Sequence, residues 1–157
     1  VVTGQVSREN YQAATVAFYK PAQAINLLTG TVKIALYDEV FGYFLDKPYM
    51  WANPGHSTLI PYETTESGEK YAVEMKRLGF THAYVNLQMI DRDFKSRWIT
   101  AMSDSPFSPE ERTQMRSDPN LWWRVLFADA VRDGKIKIVK TFPEGAEPRS
   151  VLFEFTR

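Results

Sequence analysis

Thr31-Val32-Lys33-Ile34-Ala35-Leu36-Tyr37-Asp38-Glu39 is the stretch that decides the fold. It is short, apolar and β-branched up to Tyr37, which suits a strand buried on both faces of an α/β sheet, and it closes on two carboxylates. Thr81-His82-Ala83-Tyr84-Val85-Asn86-Leu87 reads as a second core strand. Between the two, Ser67 opens a helix with Tyr71, Met75 and Leu78 on one stripe, and Gly79 stands where a left-handed cap lets Phe80 fold back on Met75. Strand, helix and strand in that order predict a right-handed crossover and parallel pairing.

Upstream, Tyr11, Ala14 and Phe18 recur at helical spacing, and Ala22, Ile25 and Leu28 continue it past Pro21 until Thr29-Gly30; the pattern predicts one broken helix or two short ones. Residues 41–62 are rich in aromatics and proline, and within them Pro48-Tyr49-Met50-Trp51 has strand character before the turn signal Asn53-Pro54-Gly55. Downstream, Asp91 caps a helix with Phe94, Trp98 and Met102 inward, and Ser108-Pro109-Glu110-Glu111 forms a capping box with proline at the first helical position. Asp118-Pro119 starts a third helix that is apolar around most of its girth. Such a helix needs cover on more than one side, from this domain or from a partner docked on Trp122-Trp123.

Lys135-Ile136-Lys137-Ile138-Val139-Lys140 alternates like a strand with lysines on its solvent face, the usual guard of a sheet edge, and Val151-Leu152-Phe153-Glu154-Phe155 pairs with it antiparallel across the Pro143-Glu144-Gly145 turn region. The expected architecture is a three-layer, Rossmann-like α/β domain: a mostly parallel sheet, helices on both faces and an antiparallel C-terminal strand pair. No internal repeat, low-complexity tract or linker interrupts it, so residues 1–157 read as one domain.

With 157 residues the chain buries roughly 70% of its unfolded surface and needs neither disulfide nor metal to fold. It has no cysteine, which removes thiolate chemistry and leaves the compartment open. Nineteen basic residues balance nineteen acidic ones, so the positive footprint of a nucleic-acid binder is missing. No apolar run approaches the roughly 20 residues that cross a bilayer. The opening Val1-Val2-Thr3-Gly4 has neither an initiator methionine nor a signal peptide's pattern, and reads as the start of a piece cut from a longer protein.

The chemistry-bearing candidates gather at one place. Ligands of open α/β sheets sit outside the carboxyl ends of strands, where Asp38 and Glu39 stand, with Tyr43, Asp46, Trp51 and His56 in the loop that follows. Two uses are open to the acidic pair: contact with a ligand, or capping of the next turn while the aromatics plug the sheet end. Neighbouring strand residues point to opposite faces, so the two acids do not flank one bond as glycosidase chemistry requires. His56 and His82 show no metal-ligand spacing, and no G-x-S-x-G elbow or glycine-rich phosphate loop occurs. No cofactor is expected, since the acidic pair would repel a pyrophosphate.

Two segments carry a family resemblance: Val32 to Glu39 running on through Gly42-Tyr43-Phe44-Leu45-Asp46-Lys47-Pro48-Tyr49-Met50-Trp51, and Leu78-Gly79-Phe80-Thr81-His82-Ala83-Tyr84-Val85-Asn86. Both resemble the C-terminal domain of bacterial multi-spanning glycosyltransferases related to the dolichyl-phosphate-mannose protein mannosyltransferases, over roughly residues 10–90 of this chain. The resemblance implies a parent enzyme that transfers sugar from a polyprenyl-phosphate carrier, with this domain on the extracytoplasmic face of the membrane. Its catalytic carboxylates would lie in an early external loop outside this chain. The expected partners are the membrane-spanning portion of the same polypeptide and a glycan or acceptor. Glu39, Tyr43, Asp46 and Trp51 are the expected contacts and carry no catalytic role. The alternative is a free-standing small-molecule enzyme or sensor using the same strand end, with Asp38 or Glu39 as general base.

Overall fold

The computed structural model describes residues 7–156, so Val1 to Gly4 lie outside the described residues. The described chain runs through α1 (Arg8–Thr15), α2 (Tyr19–Asn26), β1 (Ile34–Tyr37), a 3₁₀ turn (Gly42–Phe44), β2 (Tyr49–Trp51), α3 (Gly68–Arg77) and β3 (His82–Asn86). It continues through α4 (Arg92–Ala101), α5 (Pro109–Arg116), α6 (Pro119–Arg132), β4 (Ile136–Phe142) and β5 (Ser150–Phe155). The N-terminal helical stretch is thus two short helices.

These elements make a mixed α/β fold around a single five-stranded sheet in the order β2-β1-β3-β5-β4. β2 and β3 both pair parallel to β1, and β5 pairs antiparallel to β3 and to β4. Only β5 therefore runs against the rest, and the sheet is mostly but not fully parallel. The β1-to-β2 crossover carries only the 3₁₀ turn, where a doubly wound sheet would place an α-helix.

Strand alternation separates two cores. Ile34, Leu36, Tyr84 and Leu152 face one side, where Phe18, Ala22 and Ile25 of α2 cover them. Ala35, Tyr37, Ala83, Val85, Val151 and Phe153 face the other, beneath α3 and α6. All four β1 residues are buried, as the apolar run predicts.

Side-chain oxygens of Ser67, Asp91, Ser108 and Asp118 accept from backbone N–H groups in the first turns of α3, α4, α5 and α6, and the Ser108–Glu111 capping box closes. Gly79 adopts φ +84°, and the Phe80 N–H reaches Met75 O at 3.0 Å. At Gly68 a Cβ would stand 2.5 Å from the Ala130 nitrogen, so only glycine lets the start of α3 lie this close to α6.

In α6 every residue from Trp122 to Ala130 is buried. Phe127 packs edge-on against Phe153 of the sheet at 4.9 Å, and Trp98 of α4 donates its indole N–H to Arg124 O at 2.7 Å. The tryptophan pair is core, covered within this domain. The β4 edge departs from simple alternation: its register shifts between Ile138 and Lys140, a bulge at Val139, and Ile138 and Val139 stand exposed alongside Lys137.

Candidate functional site

β1 leaves the sheet at Asp38, which turns the chain with φ +56°, a left-handed conformation that aspartate tolerates. Its N–H donates to Asn53 Oδ1 at 2.7 Å, and Asn53 Nδ2 donates back to Asp38 Oδ1 at 2.9 Å, tying the end of β1 to the residues after β2. Asp38 Oδ2 accepts from Arg124 Nη2 at 2.6 Å. That guanidinium lies over the Trp123 ring at 4.4 Å and the Trp98 ring at 5.2 Å, so the ion pair rests on the aromatic core.

Glu39 is 5% exposed. Its Oε1 accepts from the Val40 and Phe41 N–H groups at 2.8 and 2.9 Å, and its Oε2 from Asn86 Nδ2 at 3.2 Å. It holds the turn after β1 and bridges to the end of β3. Both strand-end acids are thus anchored by internal donors that tie the turn after β1 to its neighbours.

Beside them opens a cleft of about 240 Å³ lined by Asp38, Glu39, Val40, Trp51, Asn53, Pro54, His56 and Asn120. It adjoins a cavity of about 540 Å³ whose walls include Ile60, Tyr62, Glu63 and Thr64, and the two share Pro54 and Asn120. Trp51 is 42% exposed and meets the Tyr49 ring at 5.8 Å. Tyr49 in turn covers Gly42, where a Cβ would run into its ring.

Beneath this floor three phenols form a chain. Tyr71 and Tyr37 lie 2.5 Å apart, Tyr37 and Tyr62 2.7 Å, and Tyr62 donates to Ala52 O at 2.5 Å. Desolvation by burial pushes all three hydroxyls well above their ordinary pKa, so they stay neutral and act as fixed hydrogen-bonding groups.

The four expected contacts divide. Glu39 and Trp51 line the cleft. Tyr43 and Asp46 do not, because the 3₁₀ turn carries the chain toward α2, where Phe44 and Leu45 join that side's core. Tyr43 stands 67% exposed against Phe44 and Phe41, and the Asp46 N–H donates to Asn26 Oδ1 at 3.0 Å.

His56 lines the cleft beyond β2, whereas His82 starts the parallel strand β3 at the opposite end of the sheet. His82 bonds Thr81 Oγ1 at 2.8 Å; burial lowers its pKa, with the charge of Glu154 opposing. Among the described residues no three of His, Asp and Glu stand close enough to hold a metal ion.

Sequence reasoning missed Asn53, Asn120 and Arg124. The strand-end rule that singled out Asp38 applies equally to Asn53 just past β2. An arginine inside a helix apolar on nearly every side signals a buried acidic partner, and Asp38 is that partner.

Fold and site together define a mixed α/β domain with a ligand-sized groove at the carboxyl ends of its first two strands. The chain matches no protein-family model and no curated protein sequence. Among solved structures it is similar to the C-terminal globular domain of an oligosaccharyltransferase from Archaeoglobus fulgidus, with a TM-score of 0.49 and 11% identity. The alignment covers 97% of this chain and 99% of that one. No described helix is long and apolar enough to cross a membrane.

Proposed function

We propose that this chain is a non-catalytic accessory domain of a multi-spanning glycosyltransferase that draws sugar from a polyprenyl-phosphate carrier. In this reading a three-layer, Rossmann-like frame sits on the extracytoplasmic face against the membrane-spanning portion of the same polypeptide. Its strand-end groove binds glycan or acceptor through Glu39 and Trp51. Tyr43 and Asp46, on the rim toward α2, face the membrane portion.

One observation carries the reading. The two acids best placed for chemistry are both held by internal donors, while the indole beside them is exposed. Such an arrangement suits recognition without turnover. The resemblance of residues 32–51 and 78–86 to membrane glycosyltransferases supplies the rest.

The test is turnover by the isolated chain, incubated with polyprenyl-phosphate sugars and with aryl glycosides. The expected result is no product above a heat-treated control. Product formation that Glu39→Gln or Asp38→Asn abolishes would overturn the reading and install a free-standing enzyme with a strand-end base. Reading the coding sequence upstream of Val1 tests the membrane half: several apolar stretches of about 20 residues are expected, and their absence would remove it.

A further inference from the structure

The charges and shape of the strand-end groove carry a narrower statement, which rests on the binding role proposed for it. We infer that the groove takes a saccharide without phosphate, one ring stacked on Trp51 and the next unit in the larger cavity, and that it turns away the phosphate-bearing part of any sugar donor.

Shape comes first. The two cavities, about 240 and about 540 Å³, meet at Pro54 and Asn120, so the groove is longer than its Trp51 end and accommodates more than one ring. Trp51 sits in strand β2, its backbone in register with Leu36 and its ring against Tyr49, so the exposed indole is pre-positioned. The C–H face of a pyranose is apolar and weakly positive, and it complements the negative face of an indole.

Charge decides what the ring carries. Asp38, Glu39 and Glu63 line the groove together with the imidazole of His56, and among the described residues neither lysine nor arginine stands in its walls. Arg124 balances Asp38, whereas Glu39 and Glu63 have no cationic partner among the described residues. Phosphate sites are built from guanidinium or ammonium groups or from free N–H groups at a helix start. The α6 start borders this groove, but Asp118 already accepts from the Asn120 N–H at 2.9 Å, and the neighbouring acids repel an anion. Sugar hydroxyls, by contrast, donate to carboxylate lone pairs and accept from the Asn120 amide and the hydroxyls of Ser57 and Thr58.

The experiment is a ¹⁵N NMR titration of the full chain with neutral disaccharides (maltose, cellobiose, mannobiose), with glucosamine, and with glucose 1-phosphate and mannose 1-phosphate. Saturable shifts are expected at the Trp51 indole and at the Asn120 and His56 amides with at least one neutral disaccharide. The sugar phosphates are expected to bind at least tenfold more weakly than that disaccharide. Trp51→Ala should weaken disaccharide binding at least tenfold with the dispersed spectrum retained, whereas Tyr43→Ala, outside the groove, should change it less than twofold. Glu63→Gln, on a side chain that makes no hydrogen bond among the described residues, should narrow the gap between neutral and phosphorylated sugars. Sugar phosphates binding as tightly as the neutral sugars, or no shift at Trp51 with any of them, overturns the inference. Either result leaves the non-catalytic reading standing if turnover is absent, and turnover removes that reading without touching the titration.

Discussion

The two faces of the sheet are closed by unequal means. On the α6 side Tyr37 stacks on Trp123 at 4.3 Å, Trp98 and Phe127 complete the ring cluster, and α4 and α5 add a second helical tier outside. On the α2 side one eight-residue helix does the covering, α1 buries nothing, and Leu27 stands 80% exposed. β1 is sealed on both sides all the same. The difference teaches that stability concentrates in the α6 layer, and that the α2 layer is the part able to open by itself.

Two equivalent truncations break or sharpen that comparison first. Phe127→Ala, in the middle of the ring cluster, should cost about 3–5 kcal/mol in urea denaturation, because interlocked rings cannot collapse into the gap. Phe18→Ala, which removes an equally buried ring that meets Tyr84 at 4.8 Å, should cost clearly less, since a single covering helix can settle onto the sheet. Equal losses would sink the comparison. Next in size is Arg124→Met, which leaves the mostly buried Asp38 side chain with Asn53 as its one side-chain partner among the described residues; the expected loss is about 1–3 kcal/mol. Asp38→Asn added to it should recover part of that loss, which a double-mutant cycle reads directly. Native-state hydrogen exchange should then show α2 amides opening well before those of α6, and simultaneous opening would contradict the two-layer account.

Much of this frame is legible in the sequence because it is local. Asp91, Ser108 and Asp118 mark helix starts through hydrogen bonds within one turn, and the closing of β1 on Asp38-Glu39 marks the end of the sheet where the groove lies. What the sequence hides is long-range. Arg124 and Asp38 are far apart in the chain and pair only once α6 crosses the sheet. The division of Glu39 and Trp51 from Tyr43 and Asp46 depends on which way a three-residue 3₁₀ turn sends the chain, and Gly42 takes that course only because Tyr49 packs on it. The bulge between Ile138 and Lys140 is equally invisible, since the extra residue shows only in how β4 pairs with β5.

The smallest predicted effect probes the outer tier that makes the α6 side heavier. Arg97 of α4 grips Glu111 of α5 through Nε at 2.7 Å and Nη2 at 2.6 Å, and its guanidinium also donates to Ser105 O and Pro106 O. The Arg97 hydrogen bonds, with the Ser108 N–H next, hold the Glu111 carboxyl down to about 2 from its ordinary 4.5. A carboxylate depressed in the folded state stabilises fully above the unfolded value, and that contribution disappears as pH falls from about 4.5 to about 2. Both side chains are about one-third exposed, so solvent screening keeps the pair's worth under about 1 kcal/mol. Arg97→Met should therefore lower the urea midpoint slightly at pH 6, and the gap to the parent chain should close by pH 2, where Glu111 is half protonated even in the parent and the arginine has lost most of its advantage. A gap of the same size at both pH values would show that Arg97 acts through its bonds to Ser105 and Pro106 or its stacking on the Phe107 ring at 4.7 Å, and that the outer tier is held by packing and not by this charge pair.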